Sequence, residues 1–365
     1  MKSNVKELLS ITVLVASFAT GFAQTNYFIE AGAVSGKYPL GIASNWSEGV
    51  LPTVTAGYIT NGWGRIGSTT GDTNLRIEDL IIVQEGGYVG NQSDSGGGTM
   101  INCDYTINGG TLGGKGFTLN SNTTITVNGG VVGNSGRAWN INSGSSVTVN
   151  GGRFGPNDLA AKGAPIVIND GIWIVGSFFG WANLTINGGV HTNTGGFGSS
   201  GHNGYSGTVY INGGTFTGGR SVWRSTSKKY VFGGSAPGTM TFNDWGNGLY
   251  TSSGDRNDDR GTELDFLSNT LVTFSMIAPR ALDFTNDSTD NPVYGSNEWA
   301  KALWETGRLL FHGRSKTDLG GSPTYDWDNA TNWNGLDGYF CWSFDGTNLA
   351  LAYEPPAAAT VIIIE

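Results

Sequence analysis

The densest group of ionisable side chains lies in GDRNDDRGTELD (254–265), where Asp258 and Asp259 stand beside Asp255, Glu263 and Asp265. Hydrolysis of a glycosidic bond needs two carboxylates on either side of the scissile linkage, about 5 to 9.5 Å apart, so Asp258 and Asp259 are the candidate catalytic acids. His202, in TGGFGSSGHNGYSG (194–207), is a further catalytic candidate, since this is the longest interval between repeats and extra residues there emerge as a loop, which with Phe197 and Tyr205 shapes a ligand groove or is a plain flexible insertion. Other readings of the acidic stretch are a calcium loop or a solvated loop balanced by Arg256 and Arg260. A lyase would need a basic side chain opposite a charge-neutralising group. Lys115, Arg137, Arg153, Lys162 and Arg220 are scattered singly, without an acidic cluster at matching positions.

Two further chemistries are open. In YDWDNATNWNG (325–335), Asp326, Asp328 and Asn332 space oxygen ligands along a turn, as Ca²⁺ prefers, although the glycine and closing glutamate of an EF-hand loop are missing. The competing reading is a turn that places Trp327 and Trp333 in a core. No His or Cys pair has metal-ligand spacing. The chain holds 12 Trp, 13 Tyr and 17 Phe, and aromatic rings with polar handles suit exposed recognition surfaces. Trp63, Trp139, Trp181, Trp223 and Trp245, with Tyr205, are the candidates for a sugar-stacking platform, each against a core alternative.

The elements that must position these residues are repeats. DYTINGG (104–110), TITVNGG (124–130), SVTVNGG (146–152), PIVINDG (165–171), NLTINGG (183–189) and TVYINGG (208–214) recur with asparagine at 108, 128, 150, 169, 187 and 212. A looser copy is IIVQEGG (81–87). Spacings of 20, 22, 19, 18 and 25 residues match one solenoid turn each. Alternation puts Tyr105/Ile107, Ile125/Val127, Val147/Val149, Ile166/Ile168, Leu184/Ile186 and Val209/Ile211 on an inner face. Asn and Gly supply the corner, since both tolerate left-handed backbone. Four residues past each asparagine, Leu112, Val132, Phe154, Trp173, His191 and Phe216 form a second inward column, so each coil has at least two faces. Outward stand Thr106, Thr126, Thr148, Val167, Thr185 and Tyr210; an ice-binding array would need repeated Thr-x-Thr, which only Thr124/Thr126 completes.

The expected fold is therefore all-β: a right-handed parallel β-helix (β-solenoid) with irregular capping regions and one short helix near 297–306 (NEWAKALWET), stopped at Gly307. Residues 1–23 read as a secretory signal, with Lys2 and Lys6 before an apolar run and cleavage near Ala23-Gln24, which places the mature chain outside the cell. Residues 24–80 form an entry or cap, 81–235 the regular coils, and 236–365 a C-terminal capping region or small β-sandwich-like domain. In the last region FCWSF (340–344) and NLALAY (348–353) flank Asp345-Gly346, a two-residue hairpin turn. Cys103 and Cys341 could pair in an oxidising compartment if the fold brings them together, but a long solenoid holds such distant positions apart.

Composition agrees: 60 glycines and only 13% charged residues suit many tight corners. A net charge of −9 disfavours nucleic acid and anionic membrane as partners. No stretch after residue 23 approaches a membrane span, and the glycines follow strands without opening a helix, which excludes a phosphate loop.

The entry NWSEGVLPT (45–53), the INGG and VNGG coils and the tail WAKALWETGRLLFHGRS (299–315) resemble the secreted β-solenoid proteins of environmental bacteria, akin to autotransporter passenger repeats and to exported surface proteins with short C-terminal sorting signals. The resemblance implies a surface, adhesive or structural role. The expected function is an extracellular structural or adhesin-like protein that binds carbohydrate or cell-envelope material and requires no cofactor beyond an optional Ca²⁺. The alternative is a polysaccharide lyase or glycoside hydrolase on the same fold.

Overall fold

The computed structural model describes residues 25–30, 38–65, 76–91, 98–114, 116–133, 138–156, 158–180, 184–197, 207–217, 228–233, 238–243, 263–267, 270–275, 280–281, 293–294, 301, 304–305, 307, 309–311, 313–321, 326–328, 339–344 and 348–354. One coil shows the construction. The strand Asp104–Ile107 lies on a first face, the Asn108-Gly109-Gly110 corner turns the chain, Thr111–Gly114 forms a second face and Phe117–Asn120 a third. Thr124–Val127 then returns to the first face and pairs in parallel, with Tyr105 against Ile125 and Ile107 against Val127. The coil is thus three-sided, one face more than the minimum the repeats required. In later coils the second and third faces merge into single strands, Ile172–Gly180 and Val190–Phe197.

The stacking follows the alternation. Tyr105, Ile125, Val147, Ile166, Leu184 and Val209 are in register down the first face and at most 2% exposed. On the second face Leu112, Val132, Phe154, Trp173, His191 and Phe216 are likewise in register, and all are buried. Gln84 is a polar residue at an inward position of the first face, between Ile59 and Ile107. Its side chain accepts from Tyr105 Oη at 2.9 Å and donates to Gly86 O, Gly87 O and Thr111 O, so burial leaves its amide satisfied.

The corner asparagines do more than turn the chain. Asn128 Nδ2 donates to Asn108 Oδ1 at 2.9 Å, and Asn150, Asn169, Asn187 and Asn212 each donate to the asparagine one coil earlier at 2.7–2.8 Å. All the amide dipoles point the same way, with N–H toward the N-terminal end. There Asn108 Nδ2 meets Glu85 Oε1 at 2.9 Å, a carboxylate at the positive end of the ladder, as an acid stabilises a helix N-terminus.

The parallel stack runs beyond both limits read from the repeats. The first face is a 12-stranded sheet from Asn26–Tyr27 to Leu309–Phe311, about 53 Å long at ~4.8 Å per step. Residues 228–311 lack the Asn-Gly-Gly signature yet carry its inward pattern, with Tyr230 and Phe232 over Leu264 and Phe266, and these over Leu309 and Phe311. The described part of the C-terminal region is therefore continuous with the coils.

At the start, the segment after the 3-10 turn Ala43–Asn45 runs antiparallel along the outer edge of Asn26–Tyr27, with Ile29 N donating to Asn45 O and Ser47 N to Tyr27 O. At the other end Asn348–Glu354 joins Thr270–Ser275 antiparallel, and Tyr339–Phe344 pairs on Asn348–Glu354. This hairpin has its last pairing at Phe344 and Leu349, and the turn expected at Asp345-Gly346 lies outside the described residues. Lys301, Trp304 and Glu305 are helical within the expected 297–306 segment, and Gly307, at φ 73°, ends it. Among the described residues no helix is long and apolar enough to cross a membrane. Cys103 is a free, buried thiol whose Sγ lies 3.3 Å from Ile101 O.

Candidate binding surface

The candidate catalytic residues His202, Asp258 and Asp259, and the platform candidates Trp181, Tyr205 and Trp223, lie outside the described residues, as do Trp245 and Asn332. Trp139 is a correction. It is 1% exposed, on the inner side of the third face, with its ring edge-to-face against Phe117 at 4.7 Å and Phe154 at 5.8 Å. The alternation of Ala138–Ile141 points Trp139 and Ile141 into the core, so this ring packs between coils and cannot stack on a sugar.

The proposed calcium ligands are engaged with lysines. Asp326 Oδ1 lies 2.7 Å from Lys316 Nζ, which also meets Glu305, and Asp328 Oδ2 lies 3.0 Å from Lys301 Nζ. Asp326, and next Glu305, hold the Lys316 ammonium above its ordinary pKa. The two carboxylates thus tie the loop to the helical turn, and a cation there would have to displace both lysines. Trp327, between them, is 2% exposed, as the core reading of this turn required. Among the described residues no group of three or more His, Cys, Asp or Glu side chains is placed to share a metal ion.

His191 occupies a core aromatic's place. It stacks on Phe216 at 4.6 Å and meets Trp173 edge-on at 5.5 Å, and its Nε2–H donates to Gly188 O at 2.7 Å. Burial lowers its pKa from 6.5 to about 4, partly offset by the Gly188 carbonyl. The folded state therefore binds this proton less well than the unfolded chain, and stability present above pH 6.5 is lost as pH falls toward 4. The loss is about 3 kcal/mol over that window. Urea unfolding of the wild type between pH 7 and 4 is expected to show this slope, and His191→Phe to remove it.

The remaining tryptophan candidate, Trp63, lies on the outer side of the second face. The strand Trp63–Arg65 pairs with Tyr88–Asn91, bringing Trp63 opposite Tyr88 with ring centroids 6.0 Å apart and planes at 76°. Both rings are half-buried. Tyr88 lies flat because the floor beneath is backbone: a Cβ at Gly113 would come within 2.9 Å of the Tyr88 hydroxyl, and one at Gly90 would strike Gly113 O. Partial burial raises the phenol pKa, so it remains a neutral donor. Glu30 accepts from Trp63 N and holds the start of the strand. A tryptophan edge, a flat tyrosine and two glycines form a shallow amphipathic shelf of the type that stacks on a sugar ring.

On the first face the outward residues Val83, Thr106, Thr126, Thr148, Val167, Thr185 and Tyr210 follow one another in register, from Tyr27 and Tyr58 at the N-terminal end. Tyr88 had not been singled out from sequence. Its signal was the same alternation, since Val89 is the inward residue of its strand and both neighbours must face out. The fold and surface define a parallel β-solenoid with an aromatic shelf and a hydroxyl-bearing face. Comparison with family models, with curated proteins and with solved structures finds no match.

Proposed function

We propose that this is an exported structural and binding β-solenoid, coiled with the right hand, that holds neutral carbohydrate or cell-envelope polymer on its outer faces. The observation that carries the reading is the Trp63–Tyr88 shelf over Gly90 and Gly113. An indole edge beside a flat phenol offers apolar contact to the ring hydrogens of a sugar and a hydroxyl to its oxygens. Net charge of −9 favours a neutral polymer over a polyanionic one. Export is read from the signal-like segment at residues 1–23, and Ca²⁺ at Asp326, Asp328 and Asn332 is an optional addition that would displace Lys316 and Lys301.

The test is retention of the mature protein in gels containing neutral or acidic polysaccharides, with and without calcium, while reducing ends and unsaturated products are followed. Trp63→Ala and Tyr88→Ala are each expected to weaken retention on a neutral polymer roughly five- to tenfold, and Trp63→Phe to keep most of it. Equal retention of all variants would remove the shelf from the reading. Release of product would replace it with a lyase or hydrolase, and His202, Asp258 and Asp259 would be substituted next.

A further inference from the structure

Five asparagines of the ladder share one local sequence. Asn108, Asn128, Asn150, Asn187 and Asn212 each follow Ile or Val and precede Gly-Gly. Asn-Gly is the pair most prone to spontaneous deamidation, because a glycine leaves its own backbone nitrogen free to reach the preceding side chain. Since the local sequence is the same, any difference in reactivity must come from the fold.

The fold restrains these side chains unequally. At Asn108, Asn128, Asn150 and Asn187, Nδ2 donates to the coil before and Oδ1 accepts from the coil after, so the amide plane is fixed at both ends. At three of these corners the attacking nitrogen is engaged as well: Gly109 N donates to Gln84 O and Gly129 N to Ile107 O, both at 3.1 Å, and Gly151 N to Val127 O at 3.3 Å. Asn212 is different. Its Nδ2 donates to Asn187 Oδ1 at 2.8 Å, but its own buried Oδ1 accepts nothing among the described residues. The reason is in the next coil. Ile211 pairs with Phe232, so the residue stacked on Asn212 is Gly233, which has no side chain to donate.

We infer that the ladder protects its inner asparagines from deamidation and leaves Asn212, at its open end, as the modification site. In the reaction Gly213 N attacks Asn212 Cγ, the C–Nδ2 bond breaks, and ammonia leaves carrying the glycine amide proton. Water then opens the succinimide at either carbonyl to give aspartate or isoaspartate. Either product has lost the Nδ2 donor and sets a carboxylate against Asn187 Oδ1, two acceptors facing each other. The coil at 207–217 thereby loses its side-chain tie to the one before it while the backbone pairing remains, and Asn187 becomes the new end of the ladder.

The experiment is incubation of the folded mature protein at pH 8 and 37 °C, with peptide mapping by mass spectrometry at intervals, beside the same chain in concentrated urea. In urea the five sites are expected to convert at similar rates. In the folded protein Asn212 is expected to convert first, with Asn108, Asn128, Asn150 and Asn187 slower by about tenfold or more, the rate equivalent of one retained hydrogen bond. Asn212→Ala is expected to move the reactive position to Asn187, and Asn212→Ser serves if that variant does not fold. Equal rates at all five sites in the folded protein, or conversion at Asn128 before Asn212, would overturn the inference.

Discussion

Gly130→Ala is expected to destabilise the protein by roughly 4 kcal/mol, the sum of left-handed strain and forced separation of two coils. Gly130 has φ of 70°, and a Cβ there would lie 2.6 Å from Gly110 O and 2.9 Å from Gly109 C. Those atoms are backbone of the preceding corner and cannot rotate away. Gly110 O is also the acceptor for Val131 N at 2.9 Å, so relieving the contact stretches a bond between coils. The same approach recurs at Gly110, Gly152, Gly171 and Gly189, each against a glycine carbonyl one coil earlier at 2.5–2.7 Å. Gly49→Ala separates the two causes, because Gly49 has φ of 64° with nothing within 4 Å of the added carbon. It is expected to cost about 1 kcal/mol, the torsional part alone. Urea unfolding of both variants decides the point, and equal losses would show that coil contact adds nothing.

Trp46→Ala is expected to cost about 3 to 5 kcal/mol and to yield larger species at micromolar concentration. Trp46 is 1% exposed, its Nε1 donates to Leu40 O at 2.9 Å, and its ring meets Phe28 edge-on at 5.4 Å. Gly57 has no room for a Cβ because the Trp46 ring fills that space. The ring thus closes the N-terminal end of the core, while the backbone of Asn45–Ser47 occupies the outer edge of the first strand. Asn45 fixes this segment by donating from Nδ2 to Pro39 O at 2.8 Å. In a stacked structure each coil contacts only its neighbours, so the loss is expected to fray the first coils before the middle ones. Hydrogen exchange should show it at residues 57–59 while 124–127 stay protected, with light scattering following assembly. Trp46→Phe, which keeps a ring and loses the hydrogen bond, is expected to fall between.

The repeat itself was fully legible. Period-two alternation and Asn-Gly-Gly corners place Ile125 and Val127 inward, and the fixed four-residue step past each corner asparagine placed even His191 in the second-face column. That information is local, because a solenoid residue meets its own equivalent one turn later and spacing alone brings them together. The third face was hidden. Phe117–Asn120, Ala138–Ile141 and Asp158–Ala161 share no motif, and the unequal stretches between corners reset the phase of alternation, so no rule told inward Trp139 from an outward ring. Beyond residue 235 the corners lose their signature while the pairing continues, since parallel stacking requires the inward apolar pattern and not the glycines. Sequence alone therefore determined the coil, its corners and its principal core columns. Tertiary structure alone decided the third face, the meeting of Trp63 with Tyr88, the lysines that take Asp326 and Asp328, and the open end of the ladder at Asn212. Each of those depends on a partner that no local spacing specifies.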